Sequence, residues 1–465
     1  MEGIKGYWWL PDKQETKIAG VLYKSDDGAN LLDIFGNFEG SPFLADNKSY
    51  PIINGISSKG VRYTLVDSFI KSQSASMPGF SEITIFVNIT YENLLVTLKE
   101  DIKFSSMRAS YVFLDDWIII NGFDYNSDYS AFSTKIEYQL PNPIEYNIND
   151  EFKLIINFLA NSSPSVIHPK EIAVRQSVEI KIIGNENEID WYLEKFQIFK
   201  FLLMLFINNY TKMTYLKGEK VSTVKTGEKL VEVHFRENLE KINRKEMLFT
   251  EFLCPFPNIR DRFQQILTIW FTNFKTLSSS YTLFFETIYQ SGLNLENKFL
   301  NIVHAIESYH RNNPIYPSVY MDKSDYEKTI YSNIIKYIPG ELEEDFKSSL
   351  KSRIKFGYEY SLRRRIKELF NSNEGFLKTF ICNPSDLQIQ IVDTRNYYTH
   401  YDEKSKFVME NMELYTLCEK IKIIFIVLFL FDIGFNKVEI KEIIENQELM
   451  NRLINVSNAK FDDFK

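Results

Sequence analysis

The chain has 465 residues, which is more than one hydrophobic core usually supports, so we expect two domains. Apolar residues make up 44% and charged residues 25% of the chain, which is the balance of a globular protein. The net charge of −8 argues against a protein that coats nucleic acid, because such proteins are basic, but it allows an enzyme with a local positive patch.

The first residues and the three cysteines bear on the cellular location. Residues 1–13 have no apolar core after a basic start, which is not typical of a signal peptide. The most apolar run, residues 423–431, is far shorter than the ~20 residues that span a bilayer. Cys254, Cys382 and Cys418 are far apart and predict neither a disulfide framework nor a zinc site. We therefore expect a cytoplasmic protein that has no membrane segment.

The first part of the chain, up to residue 185, is predicted to be rich in β-strands. Short runs of aromatic and β-branched residues alternate with turn-forming pairs such as Asp-Gly, Asn-Gly and Pro-Gly. This pattern is typical of a sandwich or a barrel-like sheet. The predicted strands cover residues 6–10, 18–23, 63–69, 83–89, 94–98, 117–120, 152–158 and 178–183.

From residue 189 onward the apolar residues recur at helical spacing, with one further strand predicted at 230–235. The predicted helices cover residues 190–208, 259–277, 294–311, 323–337, 342–356, 362–370, 385–411, 414–431 and 437–446. We place the domain boundary within residues 280–293. The expected fold class is α+β, with a sandwich-like, β-rich domain that also carries some helices (1–285) followed by an all-α helical bundle (286–465).

The segment that points to chemistry is R-N-x-x-x-H, formed by Arg395, Asn396 and His400. RNA carries its own nucleophile, the ribose 2′-hydroxyl, so its cleavage needs proton transfer and stabilisation of the phosphorane but no metal. A histidine transfers protons near neutral pH, and an arginine offers a charged fork that matches phosphate oxygens. The asparagine amide could hold the arginine or donate to the phosphate. The motif therefore predicts metal-independent cleavage of RNA.

Helix geometry limits how this motif can work. Residues five apart lie ~140° apart around a helix, so Arg395 and His400 cannot point the same way on an ideal helix. Either Arg395 lies at a frayed N-terminal end and folds back, or a second subunit completes the site across a two-fold axis. The competing interpretation is that Arg395 makes a surface ion pair and His400 is an ordinary helix histidine.

Two further groups of side chains are candidates for contact with RNA. A basic run either is a solvated helix face or guides RNA phosphates to the site. This run consists of Arg363, Arg364, Arg365 and Lys367. Tyr397 and Tyr398, inside the motif, either stack on bases or pack against helix neighbours.

Several segments resemble one branch of a known superfamily. Residues 391–402 are similar to the active-site motif of ApeA-like HEPN domains, and residues 299–311 are similar to the early helix of that branch. The basic segment 362–369 lies between them in the expected order. Residues 31–65 resemble part of the ApeA N-terminal domain. The resemblance therefore extends over most of the chain.

The resemblance implies a helical HEPN bundle that dimerises and acts as a ribonuclease in a prokaryotic antiviral, abortive-infection system. Arg395, Asn396 and His400 carry over to the motif positions, with neither a metal nor another cofactor. Glu307 and Asp393 are placed where they could orient the motif, although a helix salt bridge is an equal alternative for Glu307. The expected partners are an RNA, with tRNA as one candidate, a second copy of the chain, and a phage-derived trigger that acts through the N-terminal domain. The competing function is a non-catalytic module that binds RNA or protein.

Overall fold

The computed structural model describes residues 3–39, 48–76, 78–128, 130, 132–164, 172–220, 230–236, 247–289, 292–381, 384–401, 403–447, 450–451 and 454. The chain forms two compact units. The first unit comprises Met1–Leu203, Thr211–Phe249 and Pro255–Gln264, and the second comprises Met204–Tyr210, Thr250–Cys254 and Gln265–Lys465. Within the described residues, every helix is too short or too polar to cross a membrane.

The first unit is built mainly from strands, which confirms the predicted β-rich N-terminal part. The strands are β1 (Ile4–Trp9), β2 (Ile18–Lys24), β3 (Asn30–Phe35), β4 (Ser49–Ser57), β5 (Arg62–Ala75), β6 (Ser81–Glu92), β7 (Phe104–Tyr111), β8 (Phe123–Asp128), β9 (Ser133–Tyr138), β10 (Ile144–Asn147), β11 (Lys153–Pro164), β12 (Ile172–Asn187), β13 (Met213–Lys220) and β14 (Val231–His234).

Six antiparallel strands close into a barrel-like ring in the order β6-β3-β2-β1-β4-β5, because β5 pairs back onto β6. Closure leaves these strands without a free edge between them. The sheet continues from β6 through β14, β13, β7, β12 and β11 to β10, and β8 and β9 form a separate hairpin. Alternate residues of the ring point inward and form one apolar core that contains Trp8, Leu32, Ile53, Leu65 and Ile85.

The second unit is helical, which confirms the predicted helical C-terminal part. Among the described residues, the α-helices of both units are α1 (Leu114–Ile118), α2 (Ile189–Ile207), α3 (Phe256–Ile259), α4 (Phe263–Tyr289), α5 (Leu295–Asn312), α6 (Lys323–Tyr326), α7 (Ser332–Ile334), α8 (Glu344–Lys355), α9 (Leu362–Leu377), α10 (Pro384–His400), α11 (Asn411–Asp432) and α12 (Lys437–Asn446). Of these, α1, α3 and most of α2 belong to the first unit. Helix α11 is apolar on nearly all sides and packs against α5 and α12, while α10 packs against α5 and α9.

Several details differ from the sequence predictions. Residues 94–98 form no strand, and Trp117 and Ile118, the first two residues of the strand predicted over 117–120, end the short helix α1. Short apolar runs do not distinguish a strand from a buried helix turn by periodicity alone, which explains the second error. The helix predicted over 385–411 ends at His400. The division after residue 285 stays a prediction; that residue lies inside α4.

A contact between Gly55 and Trp8 should be important for the stability of the barrel-like ring. The two residues face each other across β4 and β1, and a methyl group at Gly55 would overlap the fully buried Trp8 ring. We expect Gly55→Ala to destabilise the first unit by about 1–3 kcal/mol, because overpacking forces side chains and backbone to shift. Gly340→Ala is the control, since a methyl group there meets no atom within 4 Å. Urea unfolding monitored by tryptophan fluorescence measures both, and equal midpoints would contradict the prediction.

Candidate active site

The R-N-x-x-x-H motif lies in the last turns of α10, with His400 as the final helical residue. The buried side chains of Ile391 and Val392 anchor this helix in the bundle. Tyr401 adopts a left-handed conformation (φ 52°), and its N–H donates to the Tyr397 carbonyl at 2.6 Å. This arrangement ends the helix directly after the histidine.

Arg395 is far from the N-terminus of α10, so the alternative in which it lies at a frayed N-terminal end and folds back is wrong. The structure instead joins Arg395 to Asn396. The half-buried Arg395 donates from Nη1 to Oδ1 of Asn396 at 3.3 Å. Asn396 and His400 are four residues apart, which places them on one face of the helix, and both are exposed. The guanidinium is therefore drawn toward the face that carries the imidazole.

The loop after His400 is fastened back onto α10. The buried Thr394 hydroxyl accepts the Met409 N–H at 3.0 Å and donates to the Phe407 carbonyl at 3.4 Å. Tyr398 donates its hydroxyl to the Met409 carbonyl at 3.3 Å. These bonds hold residues 403–410 against the helix, while Asp402 lies outside the described residues. Thr394 could not be identified from the sequence, because an isolated threonine belongs to no recognisable pattern.

Asp393 connects this loop to helix α9. One carboxylate oxygen accepts from Arg363 at 3.1 Å, and the other accepts from the Ser405 hydroxyl at 2.8 Å. Asp393 lies two residues before Arg395, so it fixes the helix and loop beside the motif. Glu307, the other residue that was expected to orient the motif, pairs with Arg311 at 3.1 Å on its own helix.

The two tyrosines of the motif belong to an aromatic cluster. Tyr397, Tyr398 and Tyr401 contact one another with ring centroids 5.2–6.2 Å apart, and Tyr398 also meets Phe299 of α5. Burial, with added effects of Glu410 and Glu296, raises the pKa of Tyr398 to about 12. Tyr397 and Tyr398 are half-buried, and Tyr401 is 70% exposed. Of the three rings, Tyr398 therefore makes the most packing contacts, and Tyr401 is the most accessible for stacking with an RNA base.

The basic run on α9 is divided by helix rotation. Arg363, Arg364 and Lys367 are exposed. Arg365 is buried (1% exposed), with Nη1 3.4 Å from His310 Nδ1 and Nη2 donating to the Ser318 carbonyl at 3.2 Å. This corrects the expectation for Arg365, because a buried guanidinium cannot receive an RNA phosphate at the surface.

Among the described residues, the group whose spacing would suit a metal is in the first unit. Oxygen and nitrogen atoms of Glu92, Glu232 and His234 lie within 4.8 Å of one another. Lys217 already pairs with Glu232 at 2.7 Å, and Nε2 of His234 lies 3.6 Å from an oxygen of Glu92. This group is distant in sequence from the R-N-x-x-x-H motif and has no part in the chemistry considered for it.

Comparison with protein-family models assigns both parts of the chain. Residues 3–270, more than half of the chain, match the model described as ApeA N-terminal domain 1. Residues 300–439, which include the whole of α10, match the model described as Apea-like HEPN. No curated protein and no solved structure matches the chain.

Thr394→Val tests whether the loop is fastened by that hydroxyl. Valine keeps the shape but leaves the Met409 N–H without its acceptor, so we expect a loss of about 1–3 kcal/mol in stability and faster hydrogen exchange at Met409. Thr399→Val is the matched control, because Thr399 lies on the same helix, is exposed, and bonds only its own helix through the Arg395 carbonyl. Unchanged exchange at Met409 in Thr394→Val would contradict this account.

Proposed function

Because the chain belongs to the family of the ApeA N-terminal domain and carries an Apea-like HEPN domain, we propose that it is a metal-independent endoribonuclease of a prokaryotic antiviral, abortive-infection defence system. The observation that carries the proposal is the motif at the exposed end of α10, where the hydrogen bond between Arg395 and Asn396 draws the guanidinium toward the face that carries His400. An exposed site suits a polymeric substrate such as RNA.

The proposed reaction uses the 2′-hydroxyl of the RNA as the nucleophile. Neutral His400 removes the proton of this hydroxyl as the oxygen attacks the adjacent phosphorus. Arg395 holds the non-bridging oxygens, whose negative charge increases in the phosphorane, and its rigid fork suits two of them. Asn396 keeps the guanidinium in place. The bond to the 5′-oxygen then breaks, and that oxygen needs a proton.

A second copy of the chain would supply this proton. Each copy offers one His400, while the reaction needs a base for the 2′-oxygen and an acid for the 5′-oxygen. Two motifs that face each other across a two-fold axis provide a neutral and a protonated imidazole in one cleft. The exposure of His400 and Asn396 leaves them accessible to such a partner. We therefore propose a homodimer formed through the helical unit.

Two further parts of the chain take no part in the reaction itself, and we assign them RNA binding and regulation. Arg363, Arg364 and Lys367 lie exposed on α9, beside the helix that carries the motif, and would contact phosphates further along the RNA. The first unit, which is built around its own barrel-like core, would sense the infection signal and restrain a nuclease that is toxic when uncontrolled.

Substitution of His400 tests the proposed chemistry directly. We expect His400→Ala to lower cleavage of total RNA or tRNA by about 10²–10⁴-fold, the usual contribution of general acid–base catalysis. His304→Ala is the matched control, because His304 is also an exposed histidine of the helical unit but lies outside the motif. Wild-type cleavage should continue in EDTA. RNA that is retained but never cleaved by the wild type would instead favour a non-catalytic binding module.

Mixing experiments test whether two copies share one cleft. If each cleavage event needs two His400 side chains, excess His400→Ala protein should reduce the activity of a fixed amount of wild type as mixed dimers form. The expected residual activity approaches the fraction of dimers that contain two wild-type copies. Activity that stays constant per wild-type molecule, under conditions where subunit exchange is shown by labelled chains, would mean that one copy is sufficient.

A further inference from the structure

The helical unit contains a cavity of about 500 Å³ between α4, α5, α9 and α11. This volume is typical of sites that bind small molecules, and bundles place such sites between their helices. Its polar lining includes Asn273, Asn313, Glu368, Asn373 and Asp432. None of these residues belongs to the motif or to the exposed basic residues of α9, so the proposed nuclease reaction leaves the cavity without a role.

The cavity is acidic. Glu368 and Asp432 contribute two carboxylates, whereas no Lys, Arg or His is found among the described residues that line the cavity. Burial raises the pKa of the Tyr316 phenol, and the charges of both Asp432 and Glu368 raise it further. The two carboxylates are therefore close to the same side of the cavity. Anionic ligands such as phosphates are therefore excluded by repulsion, and a cation is favoured.

The amide groups add acceptors to this acidic lining. Asn273 donates its Nδ2 to the Asp432 carbonyl at 3.3 Å, and Asn373 donates its Nδ2 to the Leu369 carbonyl at 3.1 Å. Because the NH₂ groups of these amides already donate hydrogen bonds to backbone carbonyls, their oxygen atoms are the ones that can accept a hydrogen bond from a ligand. A ligand with several N–H donors matches two carboxylates and two amide oxygens.

Apolar groups form the rest of the wall. Leu277, Ile315, Leu428 and Phe431 line the cavity, together with the rings of tyrosines and prolines. A hydrated metal ion would leave this apolar surface in contact with water, whereas an organic body covers it. We propose that the cavity binds a small organic cation, with an ammonium or guanidinium group held by Asp432 and Glu368 and its carbon chain against the apolar wall.

Asp432 makes this binding depend on pH. Burial raises the pKa of this carboxyl to about 7, although Tyr309 and Asn313 donate hydrogen bonds to it. The other titratable groups around it are the phenols of Tyr281 and Tyr316, whose pKa values are raised, so they stay neutral near pH 7. A cation requires the ionised carboxylate. Its affinity should therefore rise as the pH rises from 6 to 8 through the pKa of Asp432.

Glu368, the second acid of the cavity, lies beside a buried histidine. Its carboxylate contacts His310 Nε2 at 3.1 Å, but burial, together with the Arg365 guanidinium, lowers the pKa of His310. The imidazole is therefore neutral at pH 7 and does not cancel the carboxylate. Arg365 itself is directed to His310 and to the Ser318 carbonyl and is not one of the residues that line the cavity.

Calorimetric titration of the full chain with agmatine, which carries both an ammonium and a guanidinium group, tests the proposal. We expect saturable binding of one agmatine per chain, about tenfold tighter at pH 8 than at pH 6 because Asp432 must lose its proton. Asp432→Asn should weaken binding at least tenfold at pH 8 and remove the pH dependence. Potassium or magnesium chloride at matched ionic strength should not displace agmatine; full displacement would overturn the assignment to an organic cation.

A pair of surface substitutions guards against a folding defect in Asp432→Asn. Thr276 lines the cavity from an exposed position on α4, so Thr276→Lys places an ammonium group at the site and should abolish agmatine binding. Thr272→Lys adds the same charge one turn earlier, where the residue is exposed and does not line the cavity, and should bind agmatine normally.

Equal binding by the two lysine variants, or no binding by the wild type, would overturn the proposal. Because the titration contains no RNA, it can be carried out with His400→Ala as well as with the wild type. Its outcome is therefore independent of whether the chain is a nuclease.

Discussion

The rotation of an α-helix is the constraint on which the candidate site depends. It separates Arg395 from His400 by ~140°, so the two side chains do not meet by position alone. Asn396 shares a face with His400 and accepts a hydrogen bond from Arg395, so it draws the guanidinium toward that face. That bond is exposed and 3.3 Å long, so it is weak by itself. The site therefore relies on a rigid helix end, which the bonds of Thr394 to the following loop provide.

The same rotation sorts the charges of the helical unit. On α9, Arg363 and Lys367 lie four residues apart on the exposed side, while Arg365 faces the interior and meets His310. The basic run of the sequence is thus divided into an exposed group and one buried arginine, which have different roles. The exposed group adds positive potential beside the motif in a chain whose net charge is −8. The buried arginine contributes instead to the polar interior, where it adds to the larger effect of burial in lowering the pKa of His310.

Much of this organisation could be predicted from the sequence, because it is local. The change from alternating to helical spacing near residue 189 indicates where the continuous run of strands ends, although β13 and β14 follow it, and the motif lies within two turns of one helix. Closure of the ring could not be predicted, since it depends on the pairing of β5 with β6 and on the fit of Trp8 against Gly55. The loop of residues 403–410 was missed for the same reason: its conformation is set by contacts to a buried hydroxyl and not by turn-forming residues.

The cavity shows where prediction from sequence ends. Its lining comes from four helices and from the segment 313–317 that follows α5, and in the sequence Asp432 is merely the residue that ends an apolar run. Burial raises the pKa of this carboxyl group to about 7. Near neutral pH it can therefore lose its proton when a cation binds. A buried acid of this kind reduces stability at neutral pH, because ionisation in the interior is costly and the unfolded chain ionises it freely. A cavity that retains such a group beside a second carboxylate therefore has the character of a binding site and not that of a packing defect.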